Sequence, residues 1–206
     1  MRPPPTEFRP LALLTLVWVA ALATSGWRPF DRLTWWMEVA PVLVALPVLW
    51  LTHAQYPLTS LALVLIGAHG LVLILGGAYT YARVPVGFVV QDWFDLSRNP
   101  YDRFGHFMQG FTPAIVLREL LYRHGGVRGR LLPVLVPACC LAVSAAYELI
   151  EFGAAAALGQ GADEFLGTQG DVWDTQWDML MCLIGAAAAL VLLSPLHDRQ
   201  LARSSR

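Results

Sequence analysis

Residues 58–78 read LTSLALVLIGAHGLVLILGGA, a run without a single Asp, Glu, Lys or Arg and with His69 at its middle. The hydrocarbon core of a bilayer takes about 20 such residues as a helix. A helix apolar on every face is buried in a large core or spans a membrane. Worked outward from this run, the rest of the chain offers further stretches of the same kind: Pro10–Trp27, Thr34–Thr52 (interrupted by Pro41 and Pro47), Phe104–Tyr122, Leu131–Ala157 and Gln176–Pro195. Composition agrees. Of 206 residues, 56% are hydrophobic and 14% charged, where a soluble domain carries roughly 25% charged residues to face water. Mean hydropathy is +0.52. Disorder, a disulfide scaffold and nucleic-acid binding are excluded together, because the chain is too apolar, has three Cys and has a net charge of −1. The expectation is an all-α, polytopic transmembrane helix bundle of about six spans in one integral membrane domain, residues 1–206, with the lipid bilayer as its first partner.

The first span also fits a cleavable signal peptide, since Arg2 and Arg9, an apolar run and Ala21-Leu22-Ala23 follow one another. Its length and its flanking prolines favour an uncleaved anchor. The stretches Arg2–Pro5 and Ala202–Arg206 read as disordered caps. In the long connection Tyr79–Asn99, the apolar portion Val84–Phe94 reads as interfacial or re-entrant. The aromatics Trp27, Trp35, Trp36, Tyr79, Tyr81, Trp93, Tyr101, Trp173 and Trp177 fall near one boundary, as an interfacial belt does.

Arginine placement sets the orientation. Every basic residue is Arg. Arg123, Arg128 and Arg130 lie between spans four and five, and Arg199, Arg203 and Arg206 follow span six. An even span count puts both termini with them in the cytoplasm, along with Arg2 and Arg9. Arg28, Arg32, Arg83, Arg98 and Arg103 fall outside and weaken the bias. The acids lean the other way: only Glu7, Glu119 and Asp198 lie inward, while Asp31, Glu38, Asp92, Asp95, Asp102, Glu148, Glu151, Asp163, Glu164, Asp171, Asp174 and Asp178 lie outward. Acids contribute little to insertion, so their clustering asks for another cause.

Charged groups within a span cost a few kcal/mol each, and by default they mark function or a buried pair. Three clusters qualify. In the first, Asp102 and His106 stand four apart on one helix face, where a carboxylate can fix the imidazole tautomer, and Gly105 and Gly110 permit close approach of a neighbour. The plainer reading is a helix N-terminus with His106 at the headgroups. In the second, Glu148 and Glu151 share a face. Both stay ionised only beside a cation or an Arg, and the plainer reading pairs Glu148 with Arg103. In the third, Asp171, Asp174 and Asp178 line one stripe if the segment is helical, with Thr168 as a plausible N-cap. Capping accounts for Asp171 and Asp174 but not for Asp178, about two turns further in.

The alternating direction of the spans brings all three clusters to one depth on the outer side. One His with several carboxylates is a ligand set for a divalent cation, with oxygen favouring Mg, Ca or Mn and imidazole admitting Zn. It is equally a general acid–base set. On these grounds His106, Glu148 and Asp178 are the candidate catalytic groups and Glu148, Glu151, Asp171 and Asp174 the candidate metal ligands. Arg103 is the candidate to hold an anion or phosphate. Other features weigh less. His69, among Gly67, Gly70, Gly76 and Gly77, reads as a buried and satisfied histidine. Glu38 either joins the cluster or pairs with Arg32. Cys139, Cys140 and Cys182 lie within spans as apolar fillers.

The runs Arg28–Val39, Tyr101–Phe107 with Gly110-Phe111, Tyr147–Glu151 and Phe165–Asp174 resemble the YjdF-like family of bacterial inner-membrane proteins, over nearly the whole chain. The resemblance implies an inner-membrane location and brings no established activity with it. A remoter similarity is to VanZ-like membrane proteins, with His106-Phe107, Glu148 and Asp174 or Asp178 as counterparts. The Asn that follows the last Asp in that group is not present here, so this is analogy of fold alone.

These readings converge on an outward-facing carboxylate and histidine site acting on a lipid or cell-envelope intermediate, with or without a divalent metal such as Mg, Mn or Zn. The alternatives are a proton- or cation-coupled transporter and a non-catalytic membrane scaffold. A transporter calls for repetition between halves and a polar path to the cytoplasm, and the inner halves of the spans read as apolar. Reporter fusions after Gly125 and after Gly161 should report opposite sides of the membrane; the same side for both would overturn the six-span topology.

Overall fold

The computed structural model describes residues 8–158 and 168–204. The described residues form seven α-helices and no strand: α1 (Arg9–Trp27), α2 (Arg32–Thr52), α3 (Ser60–Tyr79), α4 (Pro85–Phe94), α5 (Tyr101–Arg123), α6 (Leu132–Leu158) and α7 (Asp174–Ser204). The helices α1, α2, α3, α6 and α7 are each long and apolar enough to cross a membrane. Between them stands α5, where the fourth span was expected. Its 23 residues cover about 34 Å at 1.5 Å per residue, enough for a hydrocarbon core of about 30 Å. Its charges, Asp102, Arg103, Arg118, Glu119 and Arg123, sit at its two ends. The chain is an all-α membrane bundle, as its composition requires.

Local sequence accounts for the helix ends. Asp31 caps α2, its Oδ1 accepting the Thr34 N–H at 2.7 Å. That bond holds the Asp31 carboxyl below its ordinary pKa. Thr59 caps α3 by accepting the Ala62 N–H. The C-terminal residue after α4 is Asp95, in the left-handed region at φ 50, where its N–H still reaches Gln91 O. The helix α2 runs on through Pro41 and Pro47.

Two expectations change and one is narrowed. The last helix continues nine residues past Pro195, the expected end, to Ser204, so Arg199 and Arg203 ride on it and Ala202–Ser204 is not a disordered cap. The apolar stretch before α5 is a helix of ten residues, too short to cross, with Val86, Phe88, Val89, Trp93 and Phe94 exposed; this fits the interfacial reading. The belt is only part of the aromatic set. Trp27, Trp36, Tyr79, Trp93, Trp173 and Trp177 are exposed, but Trp35, Tyr81 and Tyr101 are buried. The Tyr81 ring occupies the space that side chains on Gly76 and Gly105 would take. Asp163, Glu164 and Phe165–Gly167 lie outside the described residues.

Packing divides the bundle into two trios. In the first, α1, α2 and α3 enclose Leu14, Trp18, Trp35, Val39, Val42 and Ile74. Gly70 makes room for the Trp18 indole, whose Nε1 donates to Gly67 O at 3.0 Å. In the second, α5, α6 and α7 enclose Ala114, Ile115, Val136, Cys140, Cys182, Ala186 and Ala189. The two are joined where α3 meets α5. The helices α5 and α7 start at the same end of the bundle and run parallel, with the most extensive contact of any pair. Their backbones touch. A Cβ on Gly110 would lie 1.8 Å from Cys182 O, and one on Gly185 would lie 2.0 Å from Phe107 O. Neither clash can be relieved by a side-chain rotation, because the obstacle is backbone on both sides.

Gly110→Ala and Gly185→Ala should each lower stability by about 1–3 kcal/mol, and the double variant should fail to give folded protein in detergent. Thermal unfolding of the purified variants measures this, and an unchanged midpoint in either single variant would contradict the backbone contact.

Candidate functional site

The site lies where α5 and α7 begin and α6 ends. Two connecting segments are tied together there before the helices start. The Asn99 N–H donates to Gln169 Oε1 at 3.1 Å and the Gln169 Nε2 donates back to Asn99 O at 3.0 Å. Asn99 Nδ2 donates to Val84 O, and its Oδ1 accepts the Tyr101 N–H. Arg98 Nη1 donates to Thr168 O at 3.0 Å. These bonds fix the depth at which α5 enters relative to α7. Gln169 has φ 48 and Gly170 φ 83, so the turn before α7 is made by two successive left-handed residues.

Two arginines then collect the acids nearest the starts of α5 and α7. Arg98 binds Asp174 directly and stands 3.5 Å from Asp102 Oδ2 and 3.6 Å from Asp171 Oδ2. Arg103 Nη2 lies 2.5 Å from Asp171 Oδ2, with its guanidinium 5.1 Å from the Trp177 ring centroid. Asp171 Oδ1 accepts the Trp173 N–H at 2.9 Å. The helix starts at Asp174 rather than after Thr168, so Thr168 is not its cap.

One turn deeper the arginines give out and His106 takes the centre. Its Nδ1 faces Gln109 Oε1 at 3.0 Å, which calls for an N–H on that nitrogen and leaves Nε2 with a lone pair. Around Nε2 stand Asp102 Oδ1 at 3.7 Å and Asp178 Oδ2 at 3.9 Å. Glu148 Oε1 is 3.8 Å from Nδ1. All four side chains are at least nine-tenths buried. Asp178 Oδ1 and Glu148 Oε1 have no hydrogen-bond partner.

Asp102 and His106 form part of the wall of a cavity of about 190 Å³. Glu38, His69, Tyr81, Gln109, Tyr147 and Glu151 line the rest of its polar surface. Glu38 therefore turns inward and not to Arg32, lining the cavity together with Tyr81. His69 is not the satisfied histidine expected, because its Nε2 is buried without a partner. On another face of α5, α4 and α7 complete an apolar groove of about 700 Å³ that includes Val90, Phe104, Phe107 and Arg103.

A second buried polar cluster occupies the opposite end of α5 and α7. Glu119 and His197 are both 0% exposed. Glu119 accepts from Thr59 N–H at 3.1 Å, Thr59 Oγ1 at 2.8 Å, Arg123 Nη1 at 2.6 Å and His197 Nε2 at 3.2 Å. Arg118 donates to His197 Nδ1 at 3.0 Å and to Asp198 Oδ1 at 2.6 Å. Arg123 also reaches Pro57 O. Every oxygen of Glu119 is filled, so this cluster is a completed tie between α3, α5 and α7. The helix ends that the sequence reading takes as inner and apolar thus carry a polar cluster.

Of the residues singled out in the sequence, His106, Glu148 and Asp178 come together with Asp102. Asp171 and Asp174 meet Arg98 and Arg103, and Glu151 faces the cavity. Arg103 pairs with Asp171 and not with Glu148. Arg98, Asn99, Gln109 and Gln169 were missed as site residues. The spacing of Arg98 to Asp102, four residues across a helix start, was the available signal for the first. Cys139, Cys140 and Cys182 are free thiols.

The family described as predicted membrane protein (DUF2238) matches residues 10–199. The inner membrane protein YjdF of Escherichia coli (strain K12) is 52% identical over 198 residues, covering 95% of each chain. Neither finding extends to VanZ-like proteins, and no solved structure matches.

The contrast between the two clusters has a measurable consequence. Glu119→Ala strands His197, Arg123 and Thr59 in a dry interior and should cost about 3–5 kcal/mol. Glu148→Gln removes a charge whose Oε1 had no partner and should leave unfolding within about 0.5 kcal/mol of the parent. Denaturant unfolding in detergent compares them; the reverse order would show that the His106 cluster is the structural one.

Proposed function

The chain belongs to this DUF2238 family of predicted membrane proteins and is a multi-pass protein of the bacterial inner membrane; from that premise we propose that the His106 cluster is an acid–base site on the outer side of the membrane, acting on a lipid or a lipid-linked cell-envelope intermediate. The observation that carries this reading is that Glu148 and Asp178, the two carboxyls on either side of one imidazole, each keep a buried oxygen without a hydrogen-bond partner. An orphaned buried acceptor costs about 1–3 kcal/mol. The cluster at the other end of the same helices shows that this fold can saturate a buried carboxylate completely. A cost borne at one end and avoided at the other fits a site kept ready for a ligand.

In this reading His106 moves the proton. The Gln109 oxygen holds Nδ1–H, so Nε2 is the exchanging nitrogen. Asp102 and Asp178 flank Nε2, and Glu148 is the alternative proton acceptor. Arg103 is suited to an anionic headgroup: its Nε is buried without a partner, and the same side chain borders the apolar groove beside α4. A phosphate at Arg103 with acyl chain in that groove would put a lipid within reach of the outer acids. The outward orientation rests on arginine placement, since Arg118, Arg123, Arg128, Arg130, Arg199 and Arg203 all belong to the end opposite His106.

A transporter is the second reading. Between the two polar clusters, however, Ile115, Cys140, Cys182, Ala186 and Ala189 are fully buried around the Gly110 and Gly185 contact. That packing favours a site at one end over a path through the bundle. Mass spectrometry of lipids and envelope precursors in cells lacking the chromosomal copy distinguishes the readings. A species should accumulate several-fold, return to normal with the wild-type chain, and stay high with His106→Gln or Glu148→Gln produced at the same level. Identical profiles with wild type and both variants would sink the acid–base reading. Cation-driven uptake by vesicles, lost in His106→Gln, would replace it with transport.

A further inference from the structure

We propose that Asp102 Oδ1, His106 Nε2 and Asp178 Oδ2 together bind one divalent cation, Zn2+ or Mn2+. This rests on the site of the reading above and names its cofactor class; with the ion bound, Nε2 is a ligand, and Glu148, the alternative acceptor, moves the proton in place of His106. It also differs from the ligand set that the sequence pattern points to, because Asp171 and Asp174 are already neutralised by Arg98 and Arg103.

Four observations converge. Asp102, His106 and Asp178, all buried, each offer a ligand atom within 4.8 Å of the others. Tetrahedral ligands about 2.1 Å from one ion stand ~3.4 Å apart, so the present separations of 3.7 and 3.9 Å from Nε2 need only a small contraction. The imidazole is presented in the tautomer a metal requires, since Gln109 Oε1 takes Nδ1–H at 3.0 Å and leaves Nε2 free to donate its lone pair; a partner on the non-ligating nitrogen is the usual support of a metal-bound histidine. Finally, Asp178, only 3% exposed, carries an unpartnered Oδ1 beside the Oδ2 that faces the imidazole, and Glu148, 7% exposed, has another unpartnered oxygen 3.8 Å from Nδ1.

Charge balance points the same way. The five carboxyl groups of Asp102, Asp171, Asp174, Asp178 and Glu148 face Arg98 and Arg103, so those that give up a proton on metal binding leave negative charge that a divalent cation offsets. One imidazole with two carboxylates is a mixed N and O set, which selects Zn2+ or Mn2+ over Mg2+ and Ca2+. Asp102 also has a divided role that suits it to ligation: Oδ2 is turned to Arg98 and Oδ1 to the cluster. Because Asp102 and His106 also border the 190 Å³ cavity, a bound ion would be reachable from it.

The full chain purified in detergent, incubated with ZnCl2 or MnCl2 and desalted, should retain about one ion per chain by elemental analysis, with a midpoint several degrees higher that falls back on chelation. Asp178→Asn and Asp102→Asn should bind at least about 10-fold more weakly. Asp198→Asn, at the opposite end, should bind as the parent does. Pulsed EPR of the Mn2+-loaded wild type should show coupling to a histidine nitrogen, a readout that needs no variant and survives any folding defect in them. Wild type without retained ion or midpoint shift, Mn2+ without nitrogen coupling, or undiminished binding in a folded Asp178→Asn would each overturn the proposal. Metal content is read without substrate and the lipid profile without purification. A lipid defect in His106→Gln with no metal would therefore retire this inference alone, and a metal without any lipid change would retire the acid–base reading alone.

Discussion

The backbone contact between α5 and α7 holds the rest of this structure in place. Glycines at 110 and 185 let the two helices touch main chain to main chain, each against a carbonyl of the other. In a bilayer the solvent gives no hydrophobic drive to associate helices, so close packing and interhelical hydrogen bonds must do it. A contact this close also fixes the axial register of the pair. With that register set, Asp178 meets His106 at one end and His197 meets Glu119 at the other. A displacement of one helical turn would break both.

The two ends use the same chemistry for opposite purposes. At the Arg-rich end a buried carboxylate accepts from a backbone amide, a hydroxyl, a guanidinium and an imidazole, and the result is a closed joint. At the other end a similar set of acids surrounds an imidazole at distances of 3.7–3.9 Å, beyond hydrogen-bond length. Two oxygens go unfilled and a cavity adjoins. Stability is served in the first case and readiness for a ligand in the second. The outer rim of ion pairs, Arg98 with Asp174 and Arg103 with Asp171, takes up the acids that would otherwise crowd the site.

The site is partly legible in the sequence. Asp102, His106, Glu148 and Asp178 were found by a single rule, that ionisable groups in a span need a reason, and by the alternation of direction that returns them to one depth. Arg98 was not, because it stands before the helix and reads as a loop charge until the Asn99 and Gln169 bonds draw that loop inward. His197 and Glu119 were not weighed as a pair, because the last helix was expected to stop at Pro195 and in fact continues one residue past Arg203. The division of labour among the aspartates was equally hidden. Three acids on one helix stripe look alike in sequence, yet two face arginines and one faces the imidazole.

The sequence by itself determined that the chain is an all-α membrane protein, roughly where its spans run, and that most of its acids fall near one set of span ends. These follow from composition and periodicity, which act residue by residue and need no partner. Which acid meets which cation, which histidine is tied and which is poised, and where the helices touch are pairwise facts between positions some 70 residues apart. Only the tertiary structure decided them, because they depend on the register of two helices, and that register is set by the steric fit of Gly110 and Gly185 against a facing backbone.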